Sequence, residues 1–259
     1  MKGTQTPTTR QLARALAEAW RTRRAIAMAP WANALPDAAA AYAVQDLVAA
    51  ELGWFASGAA VHWKSGGASR EATLTHAPLP PRNVRGTPAD LGDMAFLGPA
   101  IEAEIALRLG VDITPERAHA LAAGEGAELI DAMTVSIEIV DSRWSEGSRA
   151  PALLRLADLQ SHGALALGDW RAFSVRDWTR QRCEVKVGDS EPRVFIGTHA
   201  LADPCWVLQP WLRHLTRDGA TVRAGTVVTT GTWCGLLPVS KGDLVDVTFD
   251  CVGRVGARI

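Results

Sequence analysis

Apolar residues near the start of the chain recur at the spacing of an α-helix. From Leu12 onward they occupy every fourth position, with charged residues largely between them, which predicts a helix over residues 8–27. A second helix is predicted between Asp37, a favourable capping residue, and Gly53, a residue type that commonly ends helices. The two helices predict a small helical N-terminal lobe, residues 1–57.

From Gly58 onward the pattern changes to short apolar runs separated by Gly, Pro and Asp, which is typical of strands and turns. The runs predicted as strands cover residues 59–64, 100–109, 133–140, 163–167, 183–187, 193–197, 226–233 and 244–253. Further helices are predicted over residues 114–123, 151–162 and 204–217.

Many strands, few helices and no regular alternation of the two favour an α+β fold with a mixed, mostly antiparallel sheet. No break in composition marks a linker between the N-terminal lobe and the remaining β-rich core, residues 58–259. The two parts are therefore expected to form one structural domain.

The overall charge argues against nucleic acid as a partner. The 259 residues include 27 Lys and Arg against 28 Asp and Glu, a formal net charge of -1. A chain so nearly neutral lacks the general attraction to phosphate on which non-specific nucleic-acid binders depend. No apolar run is long enough to span a membrane, so no membrane partner is expected.

The cysteines indicate a reducing compartment. Cys183, Cys205, Cys234 and Cys251 show neither C-x-x-C spacing nor a His at zinc-finger distance, so free and mostly buried thiols are expected. The N-terminal residues lack the apolar segment of a signal peptide. Together these features predict a cytoplasmic protein.

Two carboxylates stand two positions apart in the apolar run IEAEIALRL. Strand side chains alternate between faces, so Glu102 and Glu104 are expected to point the same way. Carboxylates that close repel each other unless a cation lies between them or water screens them. The alternative is a half-exposed strand whose outer face happens to carry glutamate.

Glu138 is flanked by apolar residues on both faces of a predicted buried strand. An ionised glutamate there needs a metal, a cation or hydrogen-bond donors, and a structural ion pair with Arg143 is one alternative. With Glu102 and Glu104 it would offer the oxygen ligands that Mg²⁺ or Mn²⁺ prefers. Neither Cys nor His lies in these two runs, so zinc is less natural.

Two further segments place polar groups beside glycines. Lys64 ends an apolar run just before Ser65, Gly66 and Gly67, where backbone can approach a ligand closely. The segment 229–235 alternates threonine hydroxyls with Gly and could offer donors to an anion. The alternatives are an ordinary strand-end lysine in solvent and a β-bulge.

The segments IEAEIALRLG and SIEIVDSRW resemble, in that order, the E-x-E…E metal signature of the fumarylacetoacetate hydrolase superfamily. Further stretches are similar to its branch of 2-keto-4-pentenoate hydratases and 2-oxo-3-hexenedioate decarboxylases: AYAVQDLV, VHWKSGG, LADLQSHGALALGDW and GTVVTTGTWCGLLPVSKGDLVDVTFDCVGRV. They run in the family's order from residue 41 to the C-terminus. The resemblance implies a β-roll or sandwich core of the fumarylacetoacetate hydrolase type.

The resemblance also implies roles for individual residues. The metal ligands, for Mg²⁺ or Mn²⁺, would be Glu102, Glu104 and Glu138. The remaining assignments are a catalytic lysine, two substrate-binding hydroxyls and a supporting carboxylate: Lys64, Ser161, Thr232 and Asp158. A lysine in such a site is expected to have a lowered pKa.

One stretch departs from the branch. The hydratases carry an acidic residue in a stretch before the E-x-E, where this chain reads TLTHAPLPPRNVRG and has none. His76 and Asn83 are the nearest polar residues, and His76 is expected to take part in substrate binding.

The implied activity is a divalent-metal-dependent hydratase, a lyase acting on a 2-hydroxy-2,4-dienoate or 2-oxo acid through a metal-stabilised enolate. Decarboxylation or tautomerisation of a 2-oxo diacid uses the same enolate and stays open, as does C–C bond hydrolysis. The partners implied are a small 2-oxo acid and further copies of the chain in a homo-oligomer. The non-enzyme alternative is a module that only binds keto acids.

Overall fold

A computed structural model describes residues 8–56 and 58–259 of the chain. Residues 1–7 and Ser57, which belong to the predicted N-terminal lobe, lie outside the described residues. The boundary predicted at residue 57 therefore stays a prediction.

The described residues contain five α-helices and fourteen strands. The helices are α1 Thr9–Thr22, α2 Ala38–Leu52, α3 Pro115–Ala120, α4 Ala152–Ala157 and α5 Leu208–Leu215. The strands are β1 His62–Gly66, β2 Thr75–Pro78, β3 Val84–Gly86, β4 Ala89–Asp90, β5 Ala100–Leu109, β6 Ile130–Val140, β7 His162–Leu167, β8 Arg171–Ala172, β9 Arg182–Val187, β10 Arg193–Ile196, β11 Val227–Thr229, β12 Leu237–Pro238, β13 Leu244–Phe249 and β14 Gly253–Arg258.

The strands form two sheets. In the larger sheet the order is β2–β1–β11–β5–β6–β7–β3, with β12 and β8 pairing with β5 and β6. The smaller sheet has the order β10–β9–β13–β14–β4. Three pairs are parallel (β1 with β11, β3 with β7, β14 with β4) and the other pairs of the described strands are antiparallel. The predicted α+β fold with mixed, mostly antiparallel sheets is confirmed.

The two longest strands form the centre of the larger sheet. Strands β5 and β6 pair antiparallel along nearly their whole length, and Glu102 lies directly opposite Glu138 in this register. Along both strands nearly every residue is buried, and strands β13 and β14 of the smaller sheet pack against β6. The main core lies between the sheets and includes Ile105, Val135 and Phe249.

The N-terminal helices begin where the sequence predicts. Thr8 and Gln11 form a capping box at the start of α1, and Asp37 caps α2, which ends at Gly53 in the left-handed conformation. The prediction that the first helix continues to residue 27 is wrong. It ends because Arg23 takes a left-handed conformation and its N–H bonds to the carbonyl of Ala19.

Two of the predicted strands are shorter than expected. The run 226–233 is a strand only over Val227–Thr229, because Gly231 adopts a φ of 106° and turns the chain out of the sheet. The run 244–253 is a hairpin rather than one strand. Strands β13 and β14 pair antiparallel on either side of a turn in which Cys251 has a positive φ.

The N-terminal helices share a core with residues far along the chain. A separate apolar cluster joins α1 and α2 to α4 and to Trp144. Within it, the buried Gln45 amide donates to the carbonyl oxygens of His76 at 3.2 Å and Leu156 at 2.7 Å. This side chain ties α2 to the part of the core that carries the cavity described below.

The described part of the chain contains no helix with the length and apolar character needed to cross a membrane. The four cysteines are free, as expected, and Cys251 is exposed whereas the other three are buried.

Replacing Gln45 by Leu tests this connection. The variant keeps the side-chain volume but leaves two buried carbonyl groups without their donor, so the free energy of unfolding should fall by about 1–3 kcal/mol in urea denaturation. Ala50→Leu, at an exposed position of the same helix, is the control and should change stability by less than about 0.5 kcal/mol. Equal effects of the two substitutions would contradict the bridging role.

Candidate active site

A cavity of about 600 Å³ opens where β1, β5, β6 and α4 meet. Five of the predicted site residues line it: Lys64, Glu102, Glu104, Ser161 and Thr232. Glu138 is fully buried and lies directly against two of them. The fold thus brings together six of the seven predicted residues, and His76 is the exception.

The three glutamates form one cluster. Each offers a carboxylate oxygen within 4.8 Å of the other two, an arrangement able to hold a metal ion. Glu102 and Glu104 share a face because strand side chains alternate, as predicted. Glu138 joins them because its strand places it directly across from Glu102.

Burial and mutual repulsion oppose the charged form of two of these groups. Burial raises the pKa of Glu102 to about 7, although Lys64 acts in the opposite direction. Burial, with the charges of Glu138 and Glu102, raises the pKa of Glu104 to about 8. A divalent cation between the carboxylates would remove this repulsion and favour their ionised form.

Glu138 is held in its charged form by two neighbours. Its Oε1 lies 2.6 Å from Lys64 Nζ and 2.9 Å from His162 Nδ1. Burial alone would raise the pKa of Glu138, but Lys64 and His162 outweigh it and lower that pKa. Since burial also lowers the pKa of His162, the ring is neutral and its Nδ1–H donates to the carboxylate.

The second oxygen of the same carboxylate is left without a partner. Oε2 of Glu138 is buried and has no hydrogen bond from any described residue. An unpaired buried carboxylate oxygen is costly, and this carboxylate belongs to a cluster whose available ligands are all oxygens. The residues present therefore fit a hard divalent cation.

Lys64 carries the positive charge of the cluster. Burial would lower its pKa, but the charges of Glu138, Glu102 and Glu104 outweigh burial and hold the pKa above its usual value. The expectation of a lowered pKa was therefore wrong for this arrangement. The physical reason is that three carboxylates surround one ammonium group.

Backbone and hydroxyl groups fix the position of Glu104. Its Oε2 accepts from the Thr229 hydroxyl and from the Gly231 N–H, the latter at 3.1 Å. Thr232 lines the cavity and its hydroxyl donates to the Gly235 carbonyl oxygen at 3.2 Å. Thr230, part of the predicted anion-binding segment, instead donates to the Ile105 carbonyl oxygen at 2.8 Å and lies in the core.

A left-handed turn follows α4 and replaces the end of the helix predicted to run to residue 162. Leu159, Gln160 and Ser161 have φ values of 49°, 55° and 62°, which is rare for residues other than Gly. The turn aims the Gln160 carbonyl oxygen at Lys64 Nζ, 3.3 Å away, and places Ser161 on the cavity wall. Strain of this kind tends to occur at functional sites, where the surroundings enforce it.

A buried ion pair enforces the turn. Arg143 Nε lies 2.5 Å from Asp158 Oδ1, and both side chains are almost fully buried. The same guanidinium donates to the carbonyl oxygens of Asp158 at 2.9 Å and His162 at 2.7 Å, on either side of the turn. Arg143 therefore pairs with Asp158 and not with Glu138, so the structural alternative considered for Glu138 is not the one the fold adopts.

His76 does not line the cavity. It lies on β2 behind Ser65, whose Oγ is 2.9 Å from His76 Nδ1, and its ring packs 5.0 Å from that of His214. Burial, with the charges of His214 and Arg217, lowers the pKa of His76 to about 3. A neutral ring in this place orients Ser65.

Sequence reasoning missed three residues of the site: Thr229, Gln160 and His162. Thr229 and Gln160 lie in segments that the sequence marks as candidates, but the residues predicted from those segments were Thr232 and Ser161. The signal for His162 was its position directly after Ser161, which was overlooked because histidines are often ordinary core residues.

The matching family model settles the relationship of the chain. Residues 79–259, more than half of the chain, match the model described as fumarylacetoacetate (FAA) hydrolase C-terminal. The chain belongs to the fumarylacetoacetate hydrolase family. The matched region contains the three glutamates and the left-handed turn, so the resemblance drawn from the motifs is confirmed.

Two curated relatives are similar to part of this family member. The chain is 36% identical over 168 residues to 2-keto-4-pentenoate hydratase 1 of Dechloromonas aromatica (strain RCB), covering 62% of the chain and 60% of that protein. It is 35% identical over 170 residues to 2-keto-4-pentenoate hydratase 2 of the same organism, covering 62% and 61%. The matches thus span less than two thirds of the length of either relative.

Solved structures confirm the family fold. The 4-oxalocrotonate decarboxylase from Pseudomonas putida G7, complexed with magnesium and adipate, superposes with a TM-score of 0.78 at 20% identity, covering 96% of both chains. The fumarylpyruvate hydrolase from Pseudomonas aeruginosa, in complex with Mn²⁺ and pyruvate, gives a TM-score of 0.52 at 16% identity over 76% of this chain and 88% of that one.

The raised pKa values predict how the stability of the metal-free protein depends on pH. Between about pH 5 and pH 8 the folded state holds more protons on Glu102 and Glu104 than the unfolded chain does, so the contribution of this pair to the free energy of unfolding should fall as the pH rises. Burial lowers the pKa of five histidines, which act in the opposite sense below about pH 7, so the free energy of unfolding of the whole protein should fall between about pH 7 and pH 8. Glu138 has a lowered pKa, so it changes the free energy of unfolding only at pH values below the ordinary pKa of a glutamate, which lie outside this range. Thermal unfolding after chelation measures the dependence.

Glu102→Gln removes one of these charges and should make the decline with pH shallower, whereas Glu191→Gln, at an exposed position, should leave it unchanged. At pH 8, Mg²⁺ should raise the Tm of the unaltered protein and of Glu191→Gln but not that of Glu102→Gln. A metal-free protein whose stability rises steadily from pH 7 to pH 8 would contradict the repulsion described here.

Proposed function

We propose that the protein is a divalent-metal-dependent hydratase, a lyase that acts on a 2-hydroxy-2,4-dienoate or the corresponding 2-oxo acid. The observation that carries this proposal is the cluster of three glutamates with the unpaired Oε2 of Glu138, beside Lys64 and open to a cavity. The partial matches to 2-keto-4-pentenoate hydratases support the same reaction class.

Glu102, Glu104 and Glu138 would hold the ion, and we propose Mg²⁺ or Mn²⁺. A bound divalent ion supplies a Lewis acid for the keto and carboxylate oxygens of a 2-oxo acid. Oxygen-only ligands suit both metals, and the structures of the decarboxylase with magnesium and of the hydrolase with Mn²⁺ support the choice.

Lys64 is the proposed catalytic residue. Among the described residues it is the ammonium group nearest the carboxylate cluster, and the neighbouring carboxylates, which raise its pKa, favour its protonated form. In that form it can donate a proton to the reacting carbon or oxygen and stabilise negative charge that develops on the substrate. The Gln160 carbonyl oxygen at 3.3 Å and Glu138 at 2.6 Å hold Nζ in place.

The hydroxyl groups on the cavity wall are the proposed substrate contacts. The Ser161 hydroxyl forms no hydrogen bond with any described residue and is free to bind a substrate oxygen. Thr232 stands on the opposite segment and would meet the substrate carboxylate. His76 would act on the substrate only through Ser65, whose Oγ it positions.

The lining of the cavity favours decarboxylation of a 2-oxo diacid as a second candidate. Apart from Glu102 and Glu104, no carboxylate or imidazole of the described residues lines the cavity, so a base to activate water is missing from the wall. Decarboxylation needs no added water. The expected cytoplasmic location and homo-oligomeric state stay predictions.

One assay separates these functions. With Mg²⁺ or Mn²⁺ present, a hydratase converts 2-hydroxy-2,4-pentadienoate, or the diacid 2-hydroxy-2,4-hexadienedioate, to the corresponding 4-hydroxy-2-oxo acid, whereas a decarboxylase releases CO₂ from 2-oxo-3-hexenedioate. Product identification by NMR distinguishes them. Metal-dependent binding of 2-oxo acids with neither turnover would leave only the keto-acid-binding module, and absence of metal binding would overturn the proposal.

Lys64→Met tests the catalytic role. It should lower kcat by about a hundredfold or more, in the range expected for loss of a general acid, while Mg²⁺ affinity changes far less. Lys186→Met, at an exposed site, is the control. Normal turnover of the Lys64 variant would remove that residue from the mechanism.

Glu138→Gln should abolish metal-dependent turnover while the protein still folds.

A further inference from the structure

The cavity continues past the carboxylates along the same pair of strands. Ala100 pairs with Val140 in the register that pairs Glu102 with Glu138. Two residues along a strand return to the same face and advance about 7 Å, so this small apolar pair lies one step beyond the carboxylate cluster. Both residues line the cavity. If the 2-oxo acid group of a substrate lies at the carboxylates, its carbon chain would lie against this apolar surface.

One face of α4 forms a wall of the same cavity. Ala152, Arg155 and Leu156 all line it. Residues three and four positions apart share one face of a helix, so Arg155 lies on the side of α4 that is turned to the cavity. The neighbouring Leu154 is buried on the other side, in the cluster that joins α4 to α1 and α2.

Arg155 is an unpaired cation on this wall. Its guanidinium forms no ion pair and no hydrogen bond with the part of the chain that the structure describes, and the residue is exposed. Lys64, the other cation among the described lining residues, is already paired with Glu138 at 2.6 Å. The cavity therefore offers one free positive charge, on a different element from the carboxylates.

We propose that Arg155 binds a second carboxylate of the substrate, so that the protein selects 2-oxo or 2-hydroxydienoic diacids over monoacids. The inference rests on the proposed function, because it takes the 2-oxo head to lie at the glutamates. A guanidinium binds a carboxylate through two parallel N–H donors, a geometry that an ammonium group does not reproduce. The carboxylate cluster, the apolar strand pair and the free guanidinium line one cavity, and together they suit the head, the carbon chain and the second carboxylate of a diacid.

The ligand pair 2-oxoadipate and 2-oxohexanoate tests the proposal. The two have equal chain length and differ only in the terminal carboxylate. Isothermal titration of the full chain at saturating Mg²⁺ should give about tenfold tighter binding of 2-oxoadipate, a modest ratio because the guanidinium is exposed to solvent. In Arg155→Gln the ratio should fall to about one. Arg155→Lys should retain part of it, since the charge remains and the two-donor geometry is lost.

Arg149→Gln is the matched control, because Arg149 is exposed a short distance away and does not line the cavity. It should keep the preference of the unaltered protein. Equal binding of both ligands by the unaltered protein, or a preference that survives in Arg155→Gln, would overturn the role of Arg155 and leave the proposed function intact. Failure of both ligands to bind with Mg²⁺ would overturn the proposed function and this inference with it.

Discussion

Repulsion among three carboxylates, two of them buried and one partly buried, is the constraint on which the site depends. Glu102, Glu104 and Glu138 stand on adjacent strands, and Lys64 is the one neighbouring ammonium group in the part of the chain that the structure describes, so the cluster carries more negative than positive charge. Such an excess is unfavourable away from water unless protons or a cation neutralise it. The raised pKa values of Glu102 and Glu104 and the unpaired Oε2 of Glu138 are two expressions of that excess.

The surrounding structure keeps the carboxylates together in spite of their repulsion. Strands β5 and β6 lie at the centre of the larger sheet and are almost entirely buried, so their register cannot slip without exposing apolar side chains. Donors from β11 and β7, and an acceptor from the left-handed turn, then fix individual atoms. The buried pair of Arg143 and Asp158 holds that turn, and through it the carbonyl oxygen that faces Lys64.

The cavity wall differs in chemistry from one part to another, and this difference connects the fold to the substrate that the protein would select. Lys64 is already paired with Glu138, whereas the hydroxyl of Ser161 and the guanidinium of Arg155 are free of partners among the described residues. The free groups lie on the turn and on α4, the elements that α1 and α2 support from behind. The helical N-terminal segment thereby influences the wall that contacts the distal part of a ligand, while the sheet determines the end where the metal would bind.

The sequence by itself determined the features that depend on neighbouring residues. Alternation along a strand placed Glu102 and Glu104 on one face, the spacing of apolar residues marked the start of α1, and local capping residues marked both ends of α2. Only the tertiary structure decided that Glu138 lies opposite Glu102, that Lys64 pairs with it, and that Arg143 turns to Asp158 instead. Strand register, buried pairing and the left-handed turn arise from packing between segments distant in the chain, and no local pattern encodes which of several possible partners that packing will select.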